Sequence, residues 1–202
     1  MKKIGFLMVM AFMAISNVTF AQFMNTSSMG SSNGFHSWKA FVIEYNNLDF
    51  DGDEATGITV GVNTAKNFAS NSALFFEYGL NLQYAFEKDG DYKFNMLTAK
   101  VPLNLLYAFE IDNNVIAPFV GLPLNAHILG KVSYDDYEVN VFSSDDMDDE
   151  QWTRFQIGWN IGVKAFLGEK FIGTVSYGSS INDLADYGGQ VETFTIGVGF
   201  RF

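Results

Sequence analysis

Val191-Glu192-Thr193-Phe194-Thr195-Ile196-Gly197-Val198-Gly199-Phe200-Arg201-Phe202 ends the chain, and its reading decides the fold. Phe194, Ile196, Val198, Phe200 and Phe202 fall on one face at a period of two, and Thr193, Thr195, Gly197, Gly199 and Arg201 fall on the other. A helix would scatter both sets around its axis, so this is a strand between two different surroundings. Five apolar side chains on one face suit contact with lipid, and the small and polar face suits the interior of a closed barrel.

The first residues agree with a secreted destination. Met1-Lys2-Lys3 is a positive start, Ile4 to Ile15 is an apolar run, and Thr19-Phe20-Ala21 places small residues where signal peptidase needs them. Residues 1–21 are therefore expected to be a signal peptide cleaved after Ala21; the run is too short for a bilayer-spanning helix, which needs roughly 20 residues. No cysteine occurs, which excludes disulfides and lipidation at a mature N-terminal cysteine.

Removing residues 1–21 takes away Lys2 and Lys3 and no acid, so the formal charge moves from −11 to −13. Phosphate would be repelled by such a surface, and nucleic acid is not an expected partner. Nineteen Gly against three Pro, with 16% aromatic residues, suit strands and tight turns. Beyond residue 21 no apolar run is long enough for a membrane helix, so a membrane form of this chain must be a barrel.

Residues 22–34 are polar and aperiodic, a flexible leader, and residues 35–202 read as eight strands. The first is Phe35 to Tyr45, with both faces mixed, followed by a polar loop over Asn46 to Ala55. The second is Thr56 to Lys66, turned by Asn67 to Ala73. In the third, Leu74, Phe76, Tyr78, Leu80, Leu82, Tyr84 and Phe86 alternate with Phe75, Glu77, Gly79, Asn81, Gln83, Ala85 and Glu87. That alternation outlasts an ordinary soluble strand of about six residues and exceeds the about 9–11 that cross a bilayer. Lys88 to Asp91 is a short loop, Tyr92 to Phe109 the fourth strand and Glu110 to Asn114 a turn. The fifth strand, Val115 to Tyr134, contains Pro118 and Pro123, where a bulge or weakened pairing is expected. Asp135 to Gln151 is the longest loop, Trp152 to Phe166 the sixth strand, Leu167 to Lys170 a turn, Phe171 to Gly178 the seventh strand and Ser179 to Gln190 the last loop.

An even number of strands, with loops mostly longer at one end than at the other, resembles the porin-like family of eight-stranded outer-membrane β-barrels of Gram-negative bacteria. Phe200-Arg201-Phe202 is the most specific point of the resemblance, matching the C-terminal signal read by the assembly machinery. The resemblance implies an all-β, antiparallel, up-and-down transmembrane barrel without a cofactor. Its implied partners are outer-membrane lipid and lipopolysaccharide, periplasmic chaperones and the barrel assembly machinery. The competing architecture is a soluble eight-stranded barrel of lipocalin type, in which the apolar face would line the interior.

With the polar face inside, Glu77, Asn81, Gln83, Glu87, Lys100, Arg154, Asn160, Lys164 and Arg201 are the expected lumen network. Counting along the strands brings Glu77, Lys164 and Arg201 to one end, Lys100 and Asn160 to the middle, and Glu87 with Arg154 to the other end. Buried charges must be paired, and eight strands leave an interior that side chains fill, so a plugged lumen is expected. The alternative is a narrow path for ions or small solutes past Lys100, Asn81, Gln83 and Asn160. Asp135, Asp136, Glu138, Asp145, Asp146, Asp148, Asp149 and Glu150 make the third loop acidic, as in a solvated loop or a weak divalent-cation site. Asp49, Asp51 and Asp53 resemble a calcium turn but lack the distal Glu of an EF-hand. His36 and His127 stand in no nucleophile motif, and no catalytic role is expected.

Overall fold

The computed structural model describes residues 37–68, 72–111, 114–134, 137–143, 152–184 and 189–202. The expected signal peptide, the leader, His36 and the acids at 135, 136 and 145–150 lie outside the described residues. Among the described residues, twelve antiparallel ladder segments, all within the unit Phe35–Phe202, form eight staves. β1 (Trp38–Phe50), β2 (Asp53–Asn67) and β3 (Leu74–Asp89) are the first three. The fourth joins β4 (Tyr92–Val101), β5 (Leu103–Tyr107) and β6 (Phe109–Ile111); the fifth joins β7 (Asn114–Gly121) and β8 (Leu124–Tyr134). A short β9 (Tyr137–Asn140) folds back on β8, and β10 (Phe155–Leu167), β11 (Phe171–Ser180) and β12 (Val191–Arg201) complete the set.

Each stave is hydrogen-bonded to the next, and β12 returns to β1 with Phe200 opposite Phe41 and Ile196 opposite Tyr45. The ring is closed, which removes the free edges that would otherwise recruit other strands. Alternation decides the faces. Ile43, Val60, Val62, Leu80, Leu82, Val120, Ile161, Val175, Ile196 and Val198 stand exposed on the outside. Aromatic residues rim this aliphatic belt, with Tyr45, Tyr84 and Trp159 towards the loop end and Phe76, Tyr78, Tyr107, Phe171 and Phe200 towards the turn end. An exterior of this kind suits a bilayer with aromatic girdles at its two surfaces, and it is the reverse of the lipocalin arrangement.

Several boundaries differ from those read in the sequence. Residues 46–55 are not a loop: alternation continues through buried Asn46 and Leu48, and only Asp51-Gly52 turns. Both have positive φ, 60° and 112°, as a two-residue hairpin turn requires, and the Gly52 N–H donates to Asp49 Oδ1 at 2.6 Å. β9 pairs alongside the end of β8, in the region taken for open loop. Of the prolines, Pro118 keeps its place opposite Val163, while the ladder from β5 stops one residue short of it, where its missing N–H falls. Pro102 and Pro123 interrupt the fourth and fifth staves, and the bulge itself lies at Ile128, where Leu97 and Thr98 face Leu129 and His127. The extra residue turns both Ile128 and Leu129 outward.

Candidate functional site

The interior is built in three layers. At the turn end Trp38, Phe75, Leu106, Phe119, Phe166 and Ile172 form one buried apolar cluster, with Trp38 packed on Phe75 and Phe166 at 5.0 Å each. Towards the loop end Leu48, Phe94, Met96, Phe142, Leu184 and Val191 form another. Between them lies a polar cavity of about 90 Å³, large enough for water. The sequence reading filled the inner face mainly with ionisable and polar groups diluted by Gly. The structure corrects this, because the inward positions near the strand ends are aromatic or aliphatic.

Glu77 and Lys164 meet across the lumen, Nζ to Oε1 3.1 Å, with side chains 1% and 4% exposed. Asn104 Nδ2 also donates to Glu77 Oε1 at 2.8 Å, and Lys164 lies 5.5 Å from the centre of the Phe119 ring. Arg201, at the same end, packs over Phe166 at 5.7 Å. Asn81, Gln83, Lys100 and Asn160 line the cavity. Lys100 has Asn81 and Asn125 as its ladder partners, and Glu44, which the sequence reading left out of the lumen, lines the same space. Mixed residues on both faces of the first strand hid Glu44; exposed Phe41, Ile43 and Tyr45 settle which way it points.

Glu87 and Arg154 do not pair. Arg154 precedes β10, is exposed, donates to the carbonyls of Ile128 and Phe142, and lies 4.9 Å over the Phe142 ring. Glu87 stands at the loop-end mouth, where burial, Asp53 and Asp89 raise its carboxyl above the ordinary value. Asp49, Asp51 and Asp53 do not gather either. Asp49 is held to the turn, and no group of three acids or histidines stands at metal-binding distance among the described residues.

Two hydrogen-bonded chains escaped the sequence reading. Thr195 Oγ1 donates to Asn46 Oδ1 at 2.9 Å and Asn46 Nδ2 donates to Thr59 at 2.8 Å, tying β12, β1 and β2 together. His127 sits between Thr98 and Gln156, at 2.8 Å and 3.0 Å. Gln156 gives its N–H to Asn182 O, so its carbonyl faces His127 and accepts from Nε2–H, leaving Nδ1 to accept from the Thr98 hydroxyl. Both nitrogens are thus engaged by neutral partners, and the ring stacks on Phe142. Glycines allow this packing. Cβ atoms on Gly61 and Gly79 would meet Asn81 and Asn63, and one on Gly121 would meet Asn104 and Asn160.

A closed eight-stave barrel with an apolar belt outside and charge inside defines an integral outer-membrane barrel. The chain belongs to the outer-membrane protein β-barrel domain family, whose model matches residues 6–202. Neisserial surface protein A has the same fold at 11% identity, with 82% of this chain and 97% of that one covered and a TM-score of 0.53. The outer-membrane enzyme PagL is similar in fold at 12% identity, with 78% and 97% covered and a TM-score of 0.52. No curated protein is close enough in sequence to count as a relative.

Proposed function

We propose that this outer-membrane barrel is of the structural or surface-interaction type, with its lumen plugged and its loop end facing the cell exterior. The observation that carries the reading is the pair of apolar clusters, which put Phe75, Phe119 and Phe166 across one end of the lumen and Phe94, Met96 and Phe142 across the other. Hydrated ions do not cross dry aromatic packing, so the ion-paired middle layer braces the staves and does not conduct. In this reading a signal peptide ending at Ala21 directs export, Phe200 and Phe202 present the assembly signal, and lipid with lipopolysaccharide surrounds the belt. Engagement of both His127 nitrogens by the neutral partners Thr98 and Gln156 supports a non-enzymatic role. Planar-bilayer recording on protein folded in detergent tests the proposal. A silent membrane is expected, and reproducible unitary currents would refute the plug.

A narrow channel is the second reading, favoured by one observation. Lys100 and Glu44 line the central cavity together with Asn63, Asn81, Asn125 and Asn160. It requires currents that change when Lys100 is replaced by Ala.

A further inference from the structure

A second cavity, of about 150 Å³, opens at the loop-end mouth, lined by Phe50, Asp53, Glu87, Tyr92, Phe94 and Trp152, with Leu184 and Gly189 at its margin. Four aromatic side chains line it, and three of them pack on one another. Phe50 and Phe94 stand edge to face at 5.3 Å, Phe94 and Trp152 are tilted at 5.9 Å, and Trp152 lies near-parallel to Phe50 at 6.5 Å. The backbone around the wall is held: the main-chain N–H of Trp152 donates to Val141 O at 2.8 Å, and that of Thr153 donates to Leu184 O at 2.6 Å. Two carboxylates, Asp53 and Glu87, complete the box, and neither has a cationic partner among the described residues. The nearby bases are engaged or turned away. Arg154 is taken by Phe142, and Lys88 and Lys93 are exposed on the opposite face of their strands.

Aromatic faces attract cations through their quadrupoles, and carboxylates add Coulomb attraction without demanding a particular donor geometry. A bare metal ion wants several oxygen ligands at close range, and among the described residues this box offers the carboxylates of Asp53 and Glu87; an organic cation wants ring faces and diffuse negative charge. We propose that the mouth cavity binds a quaternary or methylated ammonium group, of the kind carried by free choline or by a phosphocholine headgroup. Raised by burial and by Asp53 and Asp89, the Glu87 carboxyl carries the electrostatic stress that a bound cation relieves.

The test is calorimetric titration of the barrel, folded in octyl glucoside, which has no ammonium group. The probes are choline, phosphocholine, calcium and 3,3-dimethylbutan-1-ol, the uncharged isostere of choline. Choline should bind about tenfold or more tightly than the isostere. Trp152→Leu, and Asp53→Asn with Glu87→Gln, should each weaken choline about tenfold, whereas Trp152→Phe should retain most of the affinity because it keeps a ring face. Heat-modifiable gel mobility verifies that each variant is folded. Binding of choline alone identifies a free ammonium compound as the ligand, and binding of phosphocholine as well identifies a lipid headgroup. Equal affinity for the isostere, calcium binding without choline binding, or no choline binding to folded protein would overturn the assignment.

Discussion

Replacing Glu77 by Gln should cost the barrel several kcal/mol, although only one atom changes its identity. The pair it breaks is 3.1 Å long with both side chains almost wholly buried. At an effective dielectric of about 20, the attraction is about 5 kcal/mol, much of it offset by the desolvation of both ions. What the substitution leaves behind matters more. Lys164 would remain as an ammonium beside the Phe119 ring with no counter-ion, a situation that costs about 3–5 kcal/mol. The amide oxygen introduced by the substitution would still accept from Asn104, so that bond does not enter the loss. Lys164→Met should cost a similar amount by stranding the carboxylate, and the double variant should lose less than either single one. Equilibrium urea unfolding in lipid vesicles, followed by tryptophan fluorescence, gives the three values. If Glu77→Gln costs less than about 1 kcal/mol, or if the two single losses simply add, then water in the central cavity solvates the charge and the pair is not what braces the lumen.

Further outcomes follow from other parts of the barrel. A Cβ on Gly61 would stand 2.6 Å from the Asn81 Cα, so Gly61→Ala should cost about 1–3 kcal/mol, whereas Gly173→Ala, with nothing nearer than 4.0 Å, should fall within about 0.5 kcal/mol of the parent in the same unfolding assay. Phe202 is 71% exposed, so Phe202→Ala should refold normally in detergent yet accumulate less in the outer membrane of cells, as read by fractionation and heat-modifiable mobility. Glu87 keeps its proton to a higher pH than an ordinary Glu, so a cation held beside it and Asp53, with Asp89 and Tyr92 close by, should expel that proton. Choline affinity should then rise as pH rises through the Glu87 titration, and calorimetry in buffers of different ionisation heat should detect the released proton. Heats independent of buffer would mean that Glu87 does not face the ligand.

The alternation of Phe194 to Phe202 and of Leu74 to Glu87 carried the fold, because a two-residue period with an aliphatic exterior leaves few other closed arrangements. Ends of strands were harder to read. Asn46 to Ala55 looked like a loop by composition, yet Asp51-Gly52 needs only two residues to reverse the chain, and polarity cannot distinguish a hairpin tip projecting into water from an irregular loop. Counting along strands brought Glu77 and Lys164 to one level, whereas Arg154 turns to the Phe142 ring and to the carbonyls of Ile128 and Phe142, contacts that no period encodes. The mouth cavity was illegible for a similar reason. Phe50 ends β1, Phe94 lies in β4 and Trp152 precedes β10, and each alone looks like an ordinary rim aromatic.

The seam between β1 and β12 joins Ala40 to Arg201, the two ends of the barrel chain. No nascent fragment contains both sides of that seam, so the barrel has no self-contained half: until the last strand is made, β1 waits with one edge bare. Asn46 shares the same timing, since its bond to Thr195 spans 149 positions while its bond to Thr59 spans 13. Contacts this remote are slow to find unaided. A variant weakened at the seam should therefore betray itself first as slow maturation, with the finished molecule little altered.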